Sequence, residues 1–319
     1  MEYDFMVLAP ILIAFGISVA LSPVMIPFLK KLKFGQFVRD DGPESHLKKS
    51  GTPTMGGLII LCSIVVTSLF YMKSNPVILP VLFVTLGFGL VGFLDDYIKV
   101  VMKRSMGLRA WQKMVGQFLI TAIFAYYLAN YTGVGTGIMI PFTNGKILDL
   151  GFWFYPFLFF AVIGTVNGTN FTDGLDGLLS SITVLTATFF TVVAIGMKSG
   201  LEPITCAAVG ALLGFLVFNV YPAKVFMGDT GSLALGGLIA STAVMLRMPV
   251  YIVIVGFIYF VEVLSVIIQV LYFKKTGKRV FKMAPIHHHF ELSGWPETKV
   301  VAIFAIITAI LCLLGLVAL

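Results

Sequence analysis

The segment PVILPVLFVTLGFGLVGFLDDY, residues 76–97, decides the fold class of this chain. A run of about 20 apolar residues is long enough to cross the hydrocarbon core of a membrane as an α-helix. This run is almost wholly apolar until it reaches Asp95 and Asp96. Negative charge at a helix C-terminus opposes the helix dipole, so a carboxylate pair there is destabilising. The segment therefore predicts a membrane-spanning helix whose terminal aspartates have a function, such as binding a divalent metal or removing a proton.

Similar apolar runs recur along the 319 residues, of which 58% are hydrophobic and 12% are charged. Soluble domains carry about a quarter of charged residues, so this composition excludes a soluble globular protein. We predict an all-α polytopic membrane protein that forms a single integral membrane domain over residues 1–319. Ten transmembrane helices are expected, at residues 4–29, 55–72, 76–97, 113–130, 152–168, 177–197, 202–220, 231–247, 249–273 and 299–319.

Basic residues are divided unevenly between the two sides of these predicted spans. The connections after spans one, three, five, seven and nine hold 18 of the 22 lysines and arginines, and the other connections hold four. Because cytoplasmic loops of membrane proteins are enriched in lysine and arginine, we place the first set in the cytoplasm. Both termini are then extracytoplasmic. Charge that is explained by membrane topology gives no reason to expect a nucleic acid partner.

Two further features of the predicted topology can be read from local patterns. Apolar residues alternate on both sides of Asn144-Gly145, a dipeptide that favours tight hairpin turns, so we expect a small extracytoplasmic β-hairpin near residues 136–150. Span nine and the residues after it are longer than a bilayer core requires. We expect a bend between Glu262 and Gln269 that opens a lipid-facing groove.

The carboxylates are concentrated toward the predicted cytoplasmic side, which holds ten of the fifteen acidic residues. A transporter keeps ionisable groups near the middle of the membrane, often at broken helices. The observed distribution instead favours chemistry at the membrane surface. A transporter or lipid flippase is the alternative of a different class, and its support is Glu262, the one carboxylate that lies deep within a span.

Two glycine-containing stretches on the cytoplasmic side are candidate ligand sites. NGTNFTDGLDG, residues 167–177, places Asn or Asp at every third position, which would align four polar side chains along one face of a helical turn. VFMGDTGS, residues 225–232, holds Asp229 in a turn before span eight. Mg²⁺ prefers oxygen ligands, often one or two carboxylates together with substrate phosphates. Asp229 is therefore the predicted metal ligand, with Asp95 and Asp96 as candidate additional ligands.

The stretch APIHHHFE, residues 284–291, contains three consecutive histidines. Adjacent side chains fan apart and no cysteine lies nearby, so a structural zinc site is not expected. Phosphate binding or general acid–base catalysis fits these histidines better. Spans two, six, eight and ten begin on the same side, and helix N-termini bind phosphate well. Together these features predict a site for polyphosphate chemistry at the inner membrane face.

Five stretches of this chain together resemble the polyprenyl-phosphate N-acetylhexosamine-1-phosphate transferase superfamily, and they occur in order along the chain. They are HLKKSGTPTMGG (46–57), GFLDDYIK (92–99), NGTNFTDGLDGL (167–178), NVYPAKVFMGDTGSLALGG (219–237) and APIHHHFE (284–291). The GTPTMGG stretch and the triple histidine resemble the phospho-N-acetylmuramoyl-pentapeptide transferase branch. Relatives that transfer N-acetylglucosamine phosphate usually carry a different pattern in the last loop.

This resemblance implies an Mg²⁺-dependent phosphoglycosyl transferase of the bacterial cytoplasmic membrane, with its active site on the cytoplasmic face. The implied reaction transfers phospho-N-acetylmuramoyl-pentapeptide from UDP-N-acetylmuramoyl-pentapeptide to undecaprenyl phosphate, giving lipid I and UMP in peptidoglycan synthesis. A homodimer is expected by the same analogy. A UDP-N-acetylglucosamine-1-phosphate transferase is the alternative within the same class. Direct attack by the lipid phosphate and a covalent aspartyl intermediate both remain open.

The resemblance also implies roles for individual residues. Asp229 would hold Mg²⁺ against the pyrophosphate, and Phe226 would stack on uracil. The residues expected to take part in catalysis are Asp95, Asp96, Asp229, His287, His288 and Lys48. The residues expected to bind substrate are Lys113, Asn167, Asn170, Asp173, Asp176, Asn219, Phe226, Gln269 and His289.

Overall fold

The computed structural model describes residues 2–31, 49, 51–100, 102 and 107–319. Lys48, one of the expected catalytic residues, lies outside the described residues, whereas its neighbour Lys49 is described. Within these ranges the chain is almost entirely helical and contains one two-stranded sheet, as the sequence predicts.

The elements follow one another in a simple order. The helices are α1 (Glu2–Lys31), α2 (Gly57–Tyr71), α3 (Ile78–Val100), α4 (Ala110–Tyr131), α5 (Phe154–Thr172), α6 (Leu178–Met197), α7 (Glu202–Asn219), α8 (Gly228–Met245), α9 (Ile252–Val255), α10 (Phe257–Thr276), α11 (Ile286–Glu291) and α12 (Glu297–Val317). The strands are β1 (Gly137–Met139) and β2 (Ile147–Asp149), between α4 and α5. Each of the ten predicted spans is occupied by helix in the described part of the chain.

Eight of the described helices are long and apolar enough to cross a membrane, fewer than the ten predicted spans, and α2 is a shorter apolar helix. The remaining predicted span corresponds to α8, whose 18 residues are rich in glycine, alanine, serine and threonine. Every residue of α8 from Thr230 to Val244 is buried. Because α8 is surrounded by other helices, it does not need the large apolar side chains that face lipid, and small residues allow close helix packing.

Close backbone approaches bring the ends of α2, α3 and α8 together. A side chain at Gly92 in α3 would overlap the backbone of Asp229 and Thr230, and one at Gly57 in α2 would overlap the backbone of Gly231. Because neither glycine has a side chain, the backbones of α2 and α3 can lie directly against the first turn of α8. This junction places the carboxylates of α3 beside the N-terminus of α8.

The predicted hairpin is confirmed, with β1 and β2 antiparallel and Ile138 opposite Leu148. Asn144 and Gly145 have φ angles of +55° and +75°, as expected for a tight turn at this dipeptide. At the end of β2, the exposed carboxylate of Asp149 accepts hydrogen bonds from the Thr136 hydroxyl and from the backbone N–H of Gly151. These hydrogen bonds, led by that of Thr136, lower the pKa of the Asp149 carboxyl.

Span nine is interrupted at a position that the sequence did not predict. The bend expected between Glu262 and Gln269 stays a prediction, because helix α10 runs across both residues without a break. Instead, α9 and α10 are separated by Gly256, whose φ of −103° and ψ of +24° leave the helical region. The absence of a side chain matters at this position, because an added Cβ would lie 2.8 Å from the carbonyl oxygen of Ile252. Residues 270–276 of α10 are all exposed, so the end of this helix projects from the bundle.

Candidate active site

Three aspartates meet where α3 ends and α8 begins. Asp95 and Asp96 are buried near the C-terminus of α3, and Asp229 lies in the first turn of α8. One carboxylate oxygen from each of the three residues lies within 4.8 Å of the others. The structure therefore brings together the three carboxylates that the sequence singled out, from positions more than 130 residues apart.

Asp96 caps the N-terminus of α8 from the neighbouring helix. Its Oδ1 accepts a hydrogen bond from the backbone N–H of Asp229 at 3.1 Å. Its Oδ2 accepts from the backbone N–H of Thr230 at 2.8 Å and from the Thr230 hydroxyl at 2.6 Å. A negative charge at a helix N-terminus satisfies free N–H groups and complements the helix dipole. Asp96 thus fixes the position of Asp229, and both of its oxygens are already engaged.

Asp95 and Asp229 share a lysine. Lys99 Nζ lies 2.5 Å from Asp95 Oδ2 and 2.9 Å from Asp229 Oδ2. The second oxygen of Asp95 accepts a hydrogen bond from the backbone N–H of Leu108 at 2.8 Å. Lys99 was not among the expected site residues, although its spacing of four from Asp95 on a helix is the spacing at which side chains pair.

A second lysine and an asparagine complete the surroundings of Asp229. Lys113 Nζ lies 3.0 Å from Asp229 Oδ2 and donates to Asn170 Oδ1 at 3.1 Å. Asn170 Nδ2 donates to Asp229 Oδ1 at 2.8 Å and to the Ser232 hydroxyl at 2.9 Å. Every oxygen of Asp229 therefore has a cationic or amide partner, which holds the carboxylate in one orientation.

Residues 167–177 do not all lie at the aspartate cluster: some contact it, and others make structural contacts between helices. Asp173, at the end of α5, accepts a hydrogen bond from the backbone N–H of Gly228, and burial followed by repulsion from Asp229 and Asp96 raises the pKa of its carboxyl well above the usual range. Asn167 instead donates to Gln117 at 2.8 Å, so it joins α4 to α5 about one turn before Asn170.

Asp176 lies at a neighbouring cavity of about 670 Å³, which is also lined by Tyr221 and Trp295. Lys49 Nζ is 2.7 Å from Asp176 Oδ1 and 2.6 Å from Glu297 Oε1. Burial acts to lower the pKa of Lys49, but the hydrogen bonds and charges of the two carboxylates outweigh it, so the pKa is raised. This ion pair ties the 173–177 loop to the start of α12.

Three other residues that were expected to bind substrate form hydrogen bonds to nearby side chains or backbone. Asn219 accepts from the Ser180 hydroxyl at 2.9 Å and donates to the Val225 carbonyl at 3.0 Å. Gln269 binds the backbone of the loop after α10, accepting from Phe281 N–H at 3.0 Å. The backbone of Phe226 pairs with Pro53 and Gly56 of the GTPTMGG stretch, and its ring is half-buried.

The three histidines of α11 have three different partners, as expected for side chains that fan apart. His287 is buried, and its Nδ1 lies 3.0 Å from Glu262 Oε1. His288 Nδ1 lies 2.8 Å from Glu291 Oε2. His289 Nδ1 accepts a hydrogen bond from the backbone N–H of Lys282 at 3.1 Å.

The arrangement at the α3–α8 junction suits reactions of phosphate groups. Three carboxylates supply oxygen ligands of the type that Mg²⁺ prefers, and two lysine ammonium groups can face anionic substrate. Preorganised charges of this kind stabilise the negative charge that develops during phosphoryl transfer. The donor set therefore fits a divalent magnesium ion.

Sequence comparisons identify the family to which this geometry belongs. A family model described as Glycosyl transferase family 4 matches residues 78–247, more than half of the chain. This range contains α3 and α8 and therefore all three aspartates of the cluster. A signature described as Phospho-N-acetylmuramoyl-pentapeptide-transferase signature 1 matches residues 49–61, where α2 begins.

Relatives match over nearly the whole length. A phospho-N-acetylmuramoyl-pentapeptide-transferase of Clostridium botulinum (strain Alaska E43 / Type E3) is 55% identical over 317 residues, which cover 98% of this chain and 96% of the relative. The protein of that name from Acetivibrio thermocellus is 53% identical over 311 residues, covering 97% and 94%. The one from Caldicellulosiruptor bescii is 51% identical over 307 residues, covering 96% and 95%. By its sequence and by the match at its aspartate cluster, the chain belongs to the phospho-N-acetylmuramoyl-pentapeptide-transferase family.

Proposed function

We propose that this protein transfers phospho-N-acetylmuramoyl-pentapeptide from UDP-N-acetylmuramoyl-pentapeptide to undecaprenyl phosphate, forming lipid I and releasing UMP. The observation that carries this proposal is the cluster of Asp95, Asp96 and Asp229 at the end of an apolar helix. A polyprenyl phosphate has its tail in the membrane and its phosphate at the surface. A cluster of charged groups at the end of a membrane-spanning helix is the place where that phosphate and a water-soluble nucleotide can meet.

The reaction is expected to require Mg²⁺, held by Asp229, with the Asp95 carboxylate close beside it. When bound, the ion would neutralise the charge of two phosphate groups that otherwise repel one another. Asp96 is a weaker candidate for a ligand, since its oxygens are bound by fixed backbone N–H groups of α8, whereas the partners of Asp229 are lysine and asparagine side chains that can rotate away. We assign Asp96 to the placement of Asp229.

The chain's own residues would then act on the two phosphates. Asp95 accepts the proton of the lipid phosphate, while Lys99 and Lys113, which both contact Asp229, bind phosphate oxygens. An oxygen of the lipid phosphate attacks the β-phosphorus of the nucleotide sugar. The bond between that phosphorus and the bridging oxygen breaks, and UMP leaves with the oxygen. Trapping a phosphoryl-aspartate from the protein and the nucleotide substrate, without the lipid, would contradict direct attack and favour a covalent intermediate.

The remaining expected residues are assigned to the nucleotide and sugar-peptide side. Phe226 is half-buried three residues before Asp229, where its ring can stack on uracil. His288, His289 and Lys48 would contact the phosphates or the sugar-peptide. We place this site on the cytoplasmic face of a bacterial membrane, because the flanking connections carry most of the basic residues. A homodimer is part of the same proposal, by analogy with the family.

The test is UMP release by purified protein in detergent with undecaprenyl phosphate and Mg²⁺. One reaction contains UDP-N-acetylmuramoyl-pentapeptide, a second contains UDP-N-acetylglucosamine, and a third lacks the lipid. We expect UMP in the first reaction only. Release from the N-acetylglucosamine substrate alone would assign the protein to the other transferase reaction. Release from neither substrate by folded protein would refute the proposal.

A further inference from the structure

Glu262 is a buried carboxylate in α10, and the reaction described above leaves it without a role. It is fully buried within a helix long and apolar enough to cross a membrane. Ionisable groups inside membrane helices are costly and usually functional. The partner of Glu262 Oε1 is His287 Nδ1 at 3.0 Å, from a helix that begins 24 residues later in the chain.

The other side of the His287 ring rests against the backbone of Gly174. A methyl group added at Gly174 would overlap Nε2 and Cε1 of the imidazole. Among the described residues, His287 Nε2 has no hydrogen-bond partner and is buried. A carboxylate oxygen accepts hydrogen bonds, so we expect Nδ1 to carry the proton and Nε2 the lone pair. Glu262 thereby selects both the tautomer and the orientation of the ring, as a carboxylate partner commonly does for histidine.

Gly174 belongs to the loop 173–177, whose two aspartates are held on other sides. Asp173 accepts from the backbone N–H of Gly228, next to Asp229. Asp176 is paired with Lys49 and accepts from the backbone N–H of Ala223 at 2.9 Å. The His287 imidazole, from α11, contacts this loop at Gly174, between the two anchored aspartates. Without the imidazole, the loop would keep the hydrogen bonds of Asp173 and Asp176 but lose the packing contact at Gly174 between them.

We propose that Glu262 is a positioning residue, which holds the His287 ring against Gly174 and so fixes the 173–177 loop for nucleotide binding. The inference rests on the proposed function in one respect, that this loop binds the nucleotide substrate. It assigns the deep carboxylate to the transferase site and removes the feature that favours a transporter. It also gives a reason for glycine at position 174, because any side chain would displace the ring.

The first measurement is the tautomer of His287 by ¹⁵N NMR of histidine-labelled protein in detergent. The chain has four histidines, so a His287→Gln variant assigns the signal. We expect the Nδ1-protonated tautomer in the wild type and a mixture of tautomers in Glu262→Ala. Ser265→Ala is the matched control, because Ser265 is buried one turn away and bonds to the backbone carbonyl of Glu262. An unchanged tautomer in Glu262→Ala would overturn the proposal.

The second measurement separates KM from kcat in Glu262→Ala and Gly174→Ala. Loss of one charge-assisted hydrogen bond corresponds to about a tenfold change in affinity, so KM for UDP-N-acetylmuramoyl-pentapeptide should rise at least about tenfold. KM for undecaprenyl phosphate should stay unchanged, and Ser265→Ala should match the wild type.

A fall in kcat with both KM values unchanged would overturn the positioning role. If Glu262→Ala does not fold, Gly174→Ala disturbs the same contact from the opposite side and must raise the same KM. A folded wild type that releases no UMP would refute the proposed function, whereas the NMR measurement would still decide the Glu262–His287 contact.

Discussion

Replacing Asp96 by alanine should destabilise the protein as well as inactivate it. The substitution removes the acceptor of two backbone N–H groups and one hydroxyl at the start of α8. A buried donor that is left unsatisfied costs about 1–3 kcal/mol, so the two N–H groups alone predict a loss of about 2–6 kcal/mol. Because Asp96 is 3% exposed, water cannot easily replace the carboxylate.

Asp95→Ala is the matched comparison, since the two aspartates are neighbours on the same helix. It removes the acceptor of one N–H group and an ion pair with Lys99, whose side chain is 38% exposed. Partly exposed ion pairs contribute about 0–1 kcal/mol. The Leu108 N–H is only half-buried, so water can replace the lost acceptor, and the total loss should not exceed about 2 kcal/mol. Activity should nevertheless be abolished, because Asp95 is the proposed proton acceptor.

The assay is equilibrium unfolding in mixed detergent micelles, followed by helical circular dichroism, with UMP release measured on the same preparations. We expect both variants to lose activity and Asp96→Ala to lose far more free energy of unfolding. Asp96→Ala protein as stable as the wild type would refute the capping role. An Asp95→Ala protein less stable than Asp96→Ala would refute the division of labour between the two carboxylates.

Three further predictions follow from single contacts. Lys99→Gln should lower kcat about 100-fold or more, the usual effect of losing a preorganised charge at the reacting groups. Lys146→Gln in the β1–β2 hairpin should leave kcat unchanged in the same UMP assay. Gly92→Ala should destabilise the protein by about 1–3 kcal/mol, because the added methyl group overlaps the backbone of α8. Gly164→Ala is the control and should not destabilise it, because nothing lies within 4 Å of the added methyl group. Equal unfolding curves for the two variants would contradict the close approach of α3 and α8. Asp149→Asn should lower the melting temperature at pH 7, because the pKa of the Asp149 carboxyl is lowered in the folded protein. The difference in melting temperature should persist above the unfolded pKa of about 3.9. It should vanish as the pH falls through the folded pKa. A difference that grows in acid would contradict the last assignment.

Local patterns were sufficient for much of the fold. Apolar runs located helices at all ten predicted positions within the described residues, and Asn144-Gly145 located the hairpin. The nature of α8 was harder to predict, because a helix surrounded by protein has neither a polar face nor a strongly apolar one. The break at Gly256 also escaped prediction, since a glycine within an apolar run gives little indication of where a helix is interrupted.

In the candidate site, too, contacts between residues close in sequence could be predicted, whereas contacts between distant elements could not. The spacing of three in residues 167–177 suggested one helical face, but α5 ends at Thr172 and Gly177 has a φ of +75°, so Asp176 points to another cavity. Lys99 could have been found from its helical spacing to Asp95. The pairing of Glu262 with His287 depends on how α10 and α11 pack, which no local pattern contains.

Binding of Mn²⁺ as a substitute for Mg²⁺ tests most directly whether the aspartate cluster is the metal centre of this transferase. Free Mn²⁺ is followed by electron paramagnetic resonance during titration of wild type, Asp229→Asn and the control Asp149→Asn. We expect a site that Mg²⁺ competes for in the wild type and in the control. In Asp229→Asn, affinity should fall at least about tenfold, because a carboxylate ligand becomes a neutral amide. Equal Mn²⁺ affinity in wild type and Asp229→Asn would contradict the assignment of the cluster as the metal centre.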